Sequence, residues 1–227
     1  VTNKPVKELL RDAVSASKSK LEKSLLLNTY YREFGKVNNH YLKFADGLLD
    51  YHVKKKSGTA DLYVQQSRAK QLVSNDTKIF KKLEDKGKGN ADLVGALNVY
   101  DVRDAIAEAY NFKIVNRVLD ADNYDYDIKM RKNSDGKDVE IIRVKPKAEV
   151  KEMLFEGHVI YEAATKLILE IDLKFAESHA QYGKSINVLL FRMKILGFAK
   201  KLAFKNTNNK YMMVYSQNRI KFHVENK

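Results

Sequence analysis

Cysteine is absent from this chain, and its absence excludes a disulfide framework, any thiolate metal site and a cysteine nucleophile. Nor is there an apolar run approaching the roughly 18 residues that a bilayer-spanning helix needs, and no charged-then-apolar signal pattern opens the chain. The five histidines, His40, His52, His158, His179 and His223, show no HxxxH, HxH or HExxH spacing, so a zinc site has no framework. A Gly-x-Ser-x-Gly elbow, a Walker loop and a dinucleotide fingerprint are all missing, since Gly87-Lys88-Gly89 has neither the spacing nor the strand-to-helix setting. No repeat of fixed period and no low-complexity segment occurs. These absences lead us to expect no enzymatic activity, no metal and no cofactor.

What is present is material for a core. With 227 residues and 44% hydrophobic content, we expect one β-rich domain over residues 1–227. Val rather than Met stands at position 1, as it would in a chain trimmed after export. The 42 Lys and Arg against 29 Asp and Glu give a net charge of +13, which makes an anionic partner plausible. Yet Lys54-Lys55-Lys56, Lys81-Lys82, Lys86, Lys88, Lys200-Lys201 and Lys205 are spread over turns and polar strand faces, the pattern of a solvated surface. Thirteen Tyr and ten Phe interleave with the lysines, and such a mixture can form a base-stacking platform. The observation that decides is whether exposed cations cluster on one face that also carries exposed aromatics.

The clearest element is Met153–Phe175. Met153, Phe155, Gly157, Val159 and Tyr161 alternate with Leu154, Glu156, His158, Ile160 and Glu162. After Ala163-Ala164-Thr165, Leu167, Leu169, Ile171, Leu173 and Phe175 share one parity. This predicts a β-hairpin with one apolar face, in a register that a one-residue slip would ruin by burying Lys166, Glu170, Asp172 and Lys174. Upstream, Val6, Leu9, Leu10, Ala13, Val14, Ser17 and Leu21 predict an amphipathic helix over residues 5–20, with Thr2 or Asn3 as N-cap. Strands are expected over 25–34 and 41–53, the second with Tyr41, Ala45, Gly47, Leu49, Tyr51 and Val53 on one parity, and more weakly over 62–72. The polar stretch 74–90 reads as the most mobile loop, and Leu93–Tyr110 as a mid-chain helical segment. Further strands are expected over 124–131, 139–145 (after the turn Asn133-Ser134-Asp135-Gly136), 189–195, 198–204 and 211–224. The last of these should carry a bulge near Ser216–Asn218 to reconcile its two apolar parities. The predicted fold is α+β, a mainly antiparallel curved sheet or half-barrel wrapping the N-terminal helix and the mid-chain helical segment.

Several stretches carry a resemblance. Tyr31-Arg32-Glu33, Tyr41, Ala45-Asp46-Gly47-Leu48-Leu49-Asp50-Tyr51, the strand Leu62–Lys70, the segment Leu93–Ile106, Tyr124-Asp125-Tyr126-Asp127, Phe155-Glu156-Gly157-His158-Val159-Ile160-Tyr161, Phe204-Lys205 and Asn218-Arg219-Ile220-Lys221-Phe222 follow in order. Together they resemble the C-terminal domain of carboxypeptidase-regulatory-like-domain-containing envelope proteins of Gram-negative, Bacteroidota-type bacteria. Glu162-Ala163 departs from that pattern, and no regulatory-like sandwich is present. The central hairpin is similar at fold level to lipoprotein-carrier half-barrels. The resemblance implies an exported protein, periplasmic or associated with the outer membrane.

Two functions are weighed. The first is a non-enzymatic envelope domain with a binding or scaffold role. Its concave side would hold an apolar or acyl-bearing ligand, such as a lipid, or a partner chain, with Phe155, Val159, Leu169 and Ile171 lining the seam beside the helix. The alternative is a non-specific nucleic-acid or polyanion-binding module. Envelope proteins and anionic polymers are the partners to expect, and nucleic acid is the less favoured one. The acidic group Asp120, Asp122, Asp125 and Asp127 fails the calcium-loop pattern, because Tyr124 stands at a ligand position and Asp125 where glycine is required.

Overall fold

A computed structural model of the protein describes residues 4–22, 24–37, 40–54, 60–71, 102–119, 122–183, 185–188 and 191–226. The predicted mobile loop 74–90, the helical expectation over 93–101, the caps Thr2 and Asn3, and Asp120 lie outside them. By their contacts the residues group into two compact units, Val1–Glu22 with Glu108–Lys227, and Lys23–Ala107.

In the first unit, helix α1 (Val6–Lys20) buries Leu9, Leu10, Ala13, Val14 and Ser17, the stripe that 3.6-residue periodicity requires. Pro5 precedes it, and its carbonyl accepts the amides of Glu8 and Leu9. Glu8 in the first turn and Lys18 and Lys20 in the last complement the helix dipole. Residues 102–110 of the expected mid-chain segment form α2 (Val102–Tyr110), of which the first unit takes the part from Glu108 on, and α3 (Lys113–Leu119), which the sequence reading did not foresee, follows through Phe112, a buried residue at φ 49°.

The remaining strands are β4 (Tyr124–Lys132), β5 (Asp138–Pro146), β6 (Phe155–Glu162), β7 (Ile168–Phe175), β8 (Ser185–Val188), β9 (Phe191–Thr207) and β10 (Lys210–Asn226). They pair antiparallel in the order β10-β9-β7-β6-β5-β4, and short β8 pairs with β9 off this path. The 3-10 helix Glu177–Tyr182 follows β7. The described part of the expected strand 189–195 and the expected strand 198–204 are one strand, β9, while residues 189 and 190 lie outside the described residues.

Curvature follows from the contacts of α1. It touches β4 and β10, the two ends of the strand path, and β7 between them. Six strands laid flat would put those ends about 24 Å apart at ~4.8 Å per step, about twice the diameter of a helix with its side chains. The sheet must therefore curl around α1, and it stays open because β4 and β10 do not pair. The fold is α+β and mainly antiparallel, as predicted.

Turn chemistry pins the registers. Asn133 Oδ1 accepts the amides of Asp135 and Lys137, and Gly136 takes φ 74°, closing β4 onto β5. Asn208 and Asn209, both at positive φ, form the two-residue turn between β9 and β10. The bulges fall elsewhere than predicted. In place of one near Ser216–Asn218, the β9–β10 register shifts at Met213/Tyr215 and at Lys221/Phe222. Val214 is the extra residue of β10, and Leu196 that of β9.

The second unit contains a three-stranded meander, β1 (Leu25–Val37), β2 (His40–Val53) and β3 (Ala60–Gln71), with β2 in the middle.

Candidate binding face

The predicted seam residues come first. Val159 pairs with Ile171, and both are fully buried. Phe155 is buried too, its ring 4.8 Å from Phe175 and 6.2 Å from Phe198. Leu169 does not join them. Tyr161 pairs with Ile168 and Ile160 with Glu170, so Leu169 is an extra, half-buried residue of β7, and Ile168 takes the core position in its place. The bulge is held from outside the ladder: the Ile168 amide donates to Ser17 Oγ of α1 at 2.8 Å, and its carbonyl accepts the Tyr211 hydroxyl of β10 at 2.6 Å. Gly157 fits where the strands approach most closely. Its φ is 143°, and a Cβ there would stand 2.0 Å from the Asp172 carbonyl oxygen.

The opposite face of the curved sheet carries a polar row, one residue per strand: Asp127, Arg143, His158, Asp172, Lys201 and Gln217. Near its centre His158, Glu170 and Asp172 come close enough to hold a metal. Lys201 Nζ, however, already stands 3.1 Å from Glu170 and 3.6 Å from Asp172, and His158 Nε2 lies 3.1 Å from Glu170. Burial raises the Glu170 pKa, but hydrogen bonds from Lys201 and His158 outweigh it and leave the group below its ordinary value. The Lys201 ammonium therefore already pairs with both carboxylates and offsets one of their two charges. Of the other acids, Asp122 pairs with Lys7 at 2.7 Å, while Asp125 and Asp127 are exposed on β4.

A buried cation lies in the core: Lys200, 2% exposed, bonds Glu108 at 2.5 Å, and burial lowers its pKa. Nearby, Phe112, Phe204 and Tyr211 stack in sequence and join the α2–α3 segment to β9 and β10.

The meander has a different character. Leu49, Tyr51 and Val53 are buried on one face, but the other carries large apolar side chains in the open: Leu26, Tyr30, Phe34, Leu48 and Tyr63 are each more than half exposed. Tyr41, expected on the buried parity, joins this outward face, because the register shifts between Gly35 and Lys36. Its ring lies 5.8 Å from Phe34, which in turn lies 5.3 Å from Phe44. Cations are interleaved with the rings. Arg32 sits over Tyr30 and Phe34, Arg68 over Phe44, and Lys36 4.0 Å over Tyr41.

Beneath them Asp46, 6% exposed, anchors the group. It takes two hydrogen bonds from Arg68, at 2.6 and 2.7 Å, and one from the Tyr30 hydroxyl at 2.9 Å. The Arg68 bond holds the Asp46 carboxyl below its ordinary pKa against the opposing effect of burial. At the other end of the face Asp50 accepts from Asn28 and Gln65, and Asp61 pairs with Lys54. The sequence reading missed this face. Its signal was there in the apolar residues on both parities of β1, where Leu26, Tyr30 and Phe34 oppose Leu25, Leu27 and Tyr31.

Among the described residues no helix is long and apolar enough to cross a membrane. Comparison with protein-family models, with curated proteins and with solved structures finds no match for this chain.

Proposed function

We propose that this chain is a non-enzymatic binding and scaffold domain that engages a protein partner through the outward face of β1–β3. One observation carries the reading: within an exposed aromatic face, the Tyr30 and Arg68 side chains are held by hydrogen bonds to one buried carboxylate. An ordinary surface leaves long side chains free, and association must then pay for ordering them; here Asp46 has already ordered Tyr30 and Arg68. Tyr and Arg are also the side chains that most often dominate interface energetics, and a concentration of exposed apolar groups marks an interaction site.

The seam beside α1 is a weaker place to look, since Phe155, Val159 and Ile171 already fill core positions there. The resemblance of the Tyr31–Tyr51 and Phe155–Tyr161 stretches to envelope proteins supports an exported, envelope-associated setting. Hydroxyl-radical footprinting tests the binding face. In dilute purified protein Tyr30, Phe34, Tyr41, Leu48 and Tyr63 should all react. In a cell-envelope extract they should be protected, while exposed Met130 of β4 is not. Equal reactivity of the five in both settings would sink the reading.

A further inference from the structure

The outward face of the meander has an internal order that narrows the partner. Reading across β1, β2 and β3, the registers give the rows Leu26-His52-Asp61, Asn28-Asp50-Tyr63, Tyr30-Leu48-Gln66, Arg32-Asp46-Arg68 and Phe34-Phe44-Lys70, with Lys36 and Tyr41 beyond the last. Charge is polarised along the strands. Arg32, Lys36, Arg68 and Lys70 gather at one end around the carboxylate of Asp46, whereas Asp50 and Asp61, the latter paired with Lys54, mark the other. Tyr30, Leu48 and Gln66 form the uncharged middle row.

We infer that this face pairs with the same face of a second copy of the chain, about a two-fold axis lying across the strands at the Tyr30-Leu48-Gln66 row. The inference rests on the proposed binding face and names its occupant. Such an axis reverses the strand direction and keeps each strand opposite its own counterpart. The Phe34-Phe44-Lys70 row then meets the other copy's Leu26-His52-Asp61 row, which sets Phe34 against leucine and Lys70 against aspartate. The Arg32-Asp46-Arg68 row meets the other copy's Asn28-Asp50-Tyr63 row, so Asp50 faces Asp46 with Arg32 and Arg68 on either side, a net positive row against a net negative one, and Leu48 meets Leu48 at the axis. A two-fold along the strands would set each row against itself, Arg32 against Arg68 and Asp50 against Asp50, and would place Lys70 on Phe34 instead of Asp61. Charge therefore selects one of the two isologous arrangements.

A polyanion fits less well, because a chain bearing one phosphate per unit would run from the cations onto Asp50 and Asp61. An unbroken apolar partner would leave the excess cations at the Asp46 end uncompensated. Five rows at ~6.8 Å and three strands at ~4.8 Å bury on the order of 500 Å² per copy. That is below the ~800 Å² of a standard interface, so the expected dissociation constant is micromolar or weaker.

Sedimentation equilibrium of the purified chain over the micromolar to millimolar range tests this, with circular dichroism confirming that each variant is folded. Leu48→Asp, at an exposed position on the axis, should weaken dimerisation more than tenfold. Lys70→Glu and Asp61→Lys should each weaken it several-fold, and an equimolar mixture of the two should recover most of the loss, because each protomer then supplies the charge that the other lacks. Self-association insensitive to Leu48→Asp, or no rescue in the mixture, would overturn the two-fold pairing. A chain monomeric at millimolar concentration overturns it as well. If the five aromatic and aliphatic side chains were still protected in the extract, the binding face would stand with a different occupant. Salt-sensitive binding of an oligothymidylate probe that Lys70→Glu abolishes, in a monomeric chain, would replace the second copy with a polyanion.

Discussion

Replacing Ser17 by alanine tests how the curved sheet is held to its helix. The Ser17 hydroxyl accepts the Ile168 amide at 2.8 Å in a site with no solvent access at either residue. Alanine removes that acceptor and adds no bulk, so the amide is left buried without it, at a cost of about 1–3 kcal/mol. Alanine is the better helix former by about 0.5 kcal/mol, which leaves a net loss of about 0.5–2.5 kcal/mol. For a chain of this size the melting temperature should fall by about 2–4 °C per kcal/mol. Ser15→Ala is the control: it lies on the exposed side of α1, gains the same propensity and should be neutral or slightly stabilising. Tyr211→Phe removes the hydroxyl that serves the Ile168 carbonyl and should cost a similar amount. Because both partners serve one peptide unit, the double variant should depart from additivity by more than about 0.5 kcal/mol. Urea titrations followed by far-ultraviolet circular dichroism supply the four free energies. Ser17→Ala as stable as Ser15→Ala, or a strictly additive pair, would refute the claim that this bulge is held from outside the ladder.

Gly157→Ala must place a methyl group 2.0 Å from the Asp172 carbonyl oxygen at a φ of 143°, and on the order of 3 kcal/mol or more should be lost, as a urea midpoint will show. The Lys200–Glu108 pair should behave asymmetrically. Lys200→Met removes a buried charge and leaves Glu108 beside Lys113 at 3.4 Å, so it should be neutral or stabilising, whereas Glu108→Leu takes away the carboxylate 2.5 Å from a buried ammonium and should cost about 3 kcal/mol; equal effects would contradict this account. Burial raises the pKa values of Tyr110, Tyr124, Tyr126, Tyr161 and Tyr211, to about 12 for Tyr110 and Tyr126. Their contribution is whole below pH 10 and is lost as pH rises, at about 1.4 kcal/mol per pH unit for each tyrosine ionised only in the unfolded chain. Lys200, its pKa lowered, acts in the opposite sense up to its ordinary 10.5 and is outnumbered. Absorbance at 295 nm should therefore show two phases, the second coinciding with alkaline unfolding; a single phase near pH 10 in a folded chain would exclude this.

Much of the curved sheet was legible because its central hairpin alternates over Phe155–Tyr161 and Ile171–Phe175 and its turns use asparagine and glycine where positive φ is needed. Leu169 was misread for a definite reason. Leu167, Ile168 and Leu169 are all apolar, so period-two counting does not say which of them faces inward, and the answer lies in Ser17 and Tyr211, 151 and 43 residues away. Helix α3 escaped notice because Lys113–Leu119 is short and rich in β-branched residues. Even so, its buried Ile114, Val115, Val118 and Leu119 keep helical spacing. The outward face of the meander was hidden by the opposite problem, apolar residues on both parities, which a one-sided sheet does not predict.

The two units differ in how the chain visits them. Residues 23–107 are contiguous, whereas the curved sheet needs residues 1–22 together with residues 108–227, and α1 packs against β10. On a ribosome, where chains emerge at about 5–20 residues per second, β1–β3 can pair within seconds of their synthesis. Over the same period the apolar stripe of Leu9, Leu10, Ala13 and Val14 has no sheet to cover it until more than a hundred further residues have appeared. Until the strands of that sheet are made the stripe is exposed apolar surface, and it is at this stage, rather than once folded, that a holding chaperone would find its binding site.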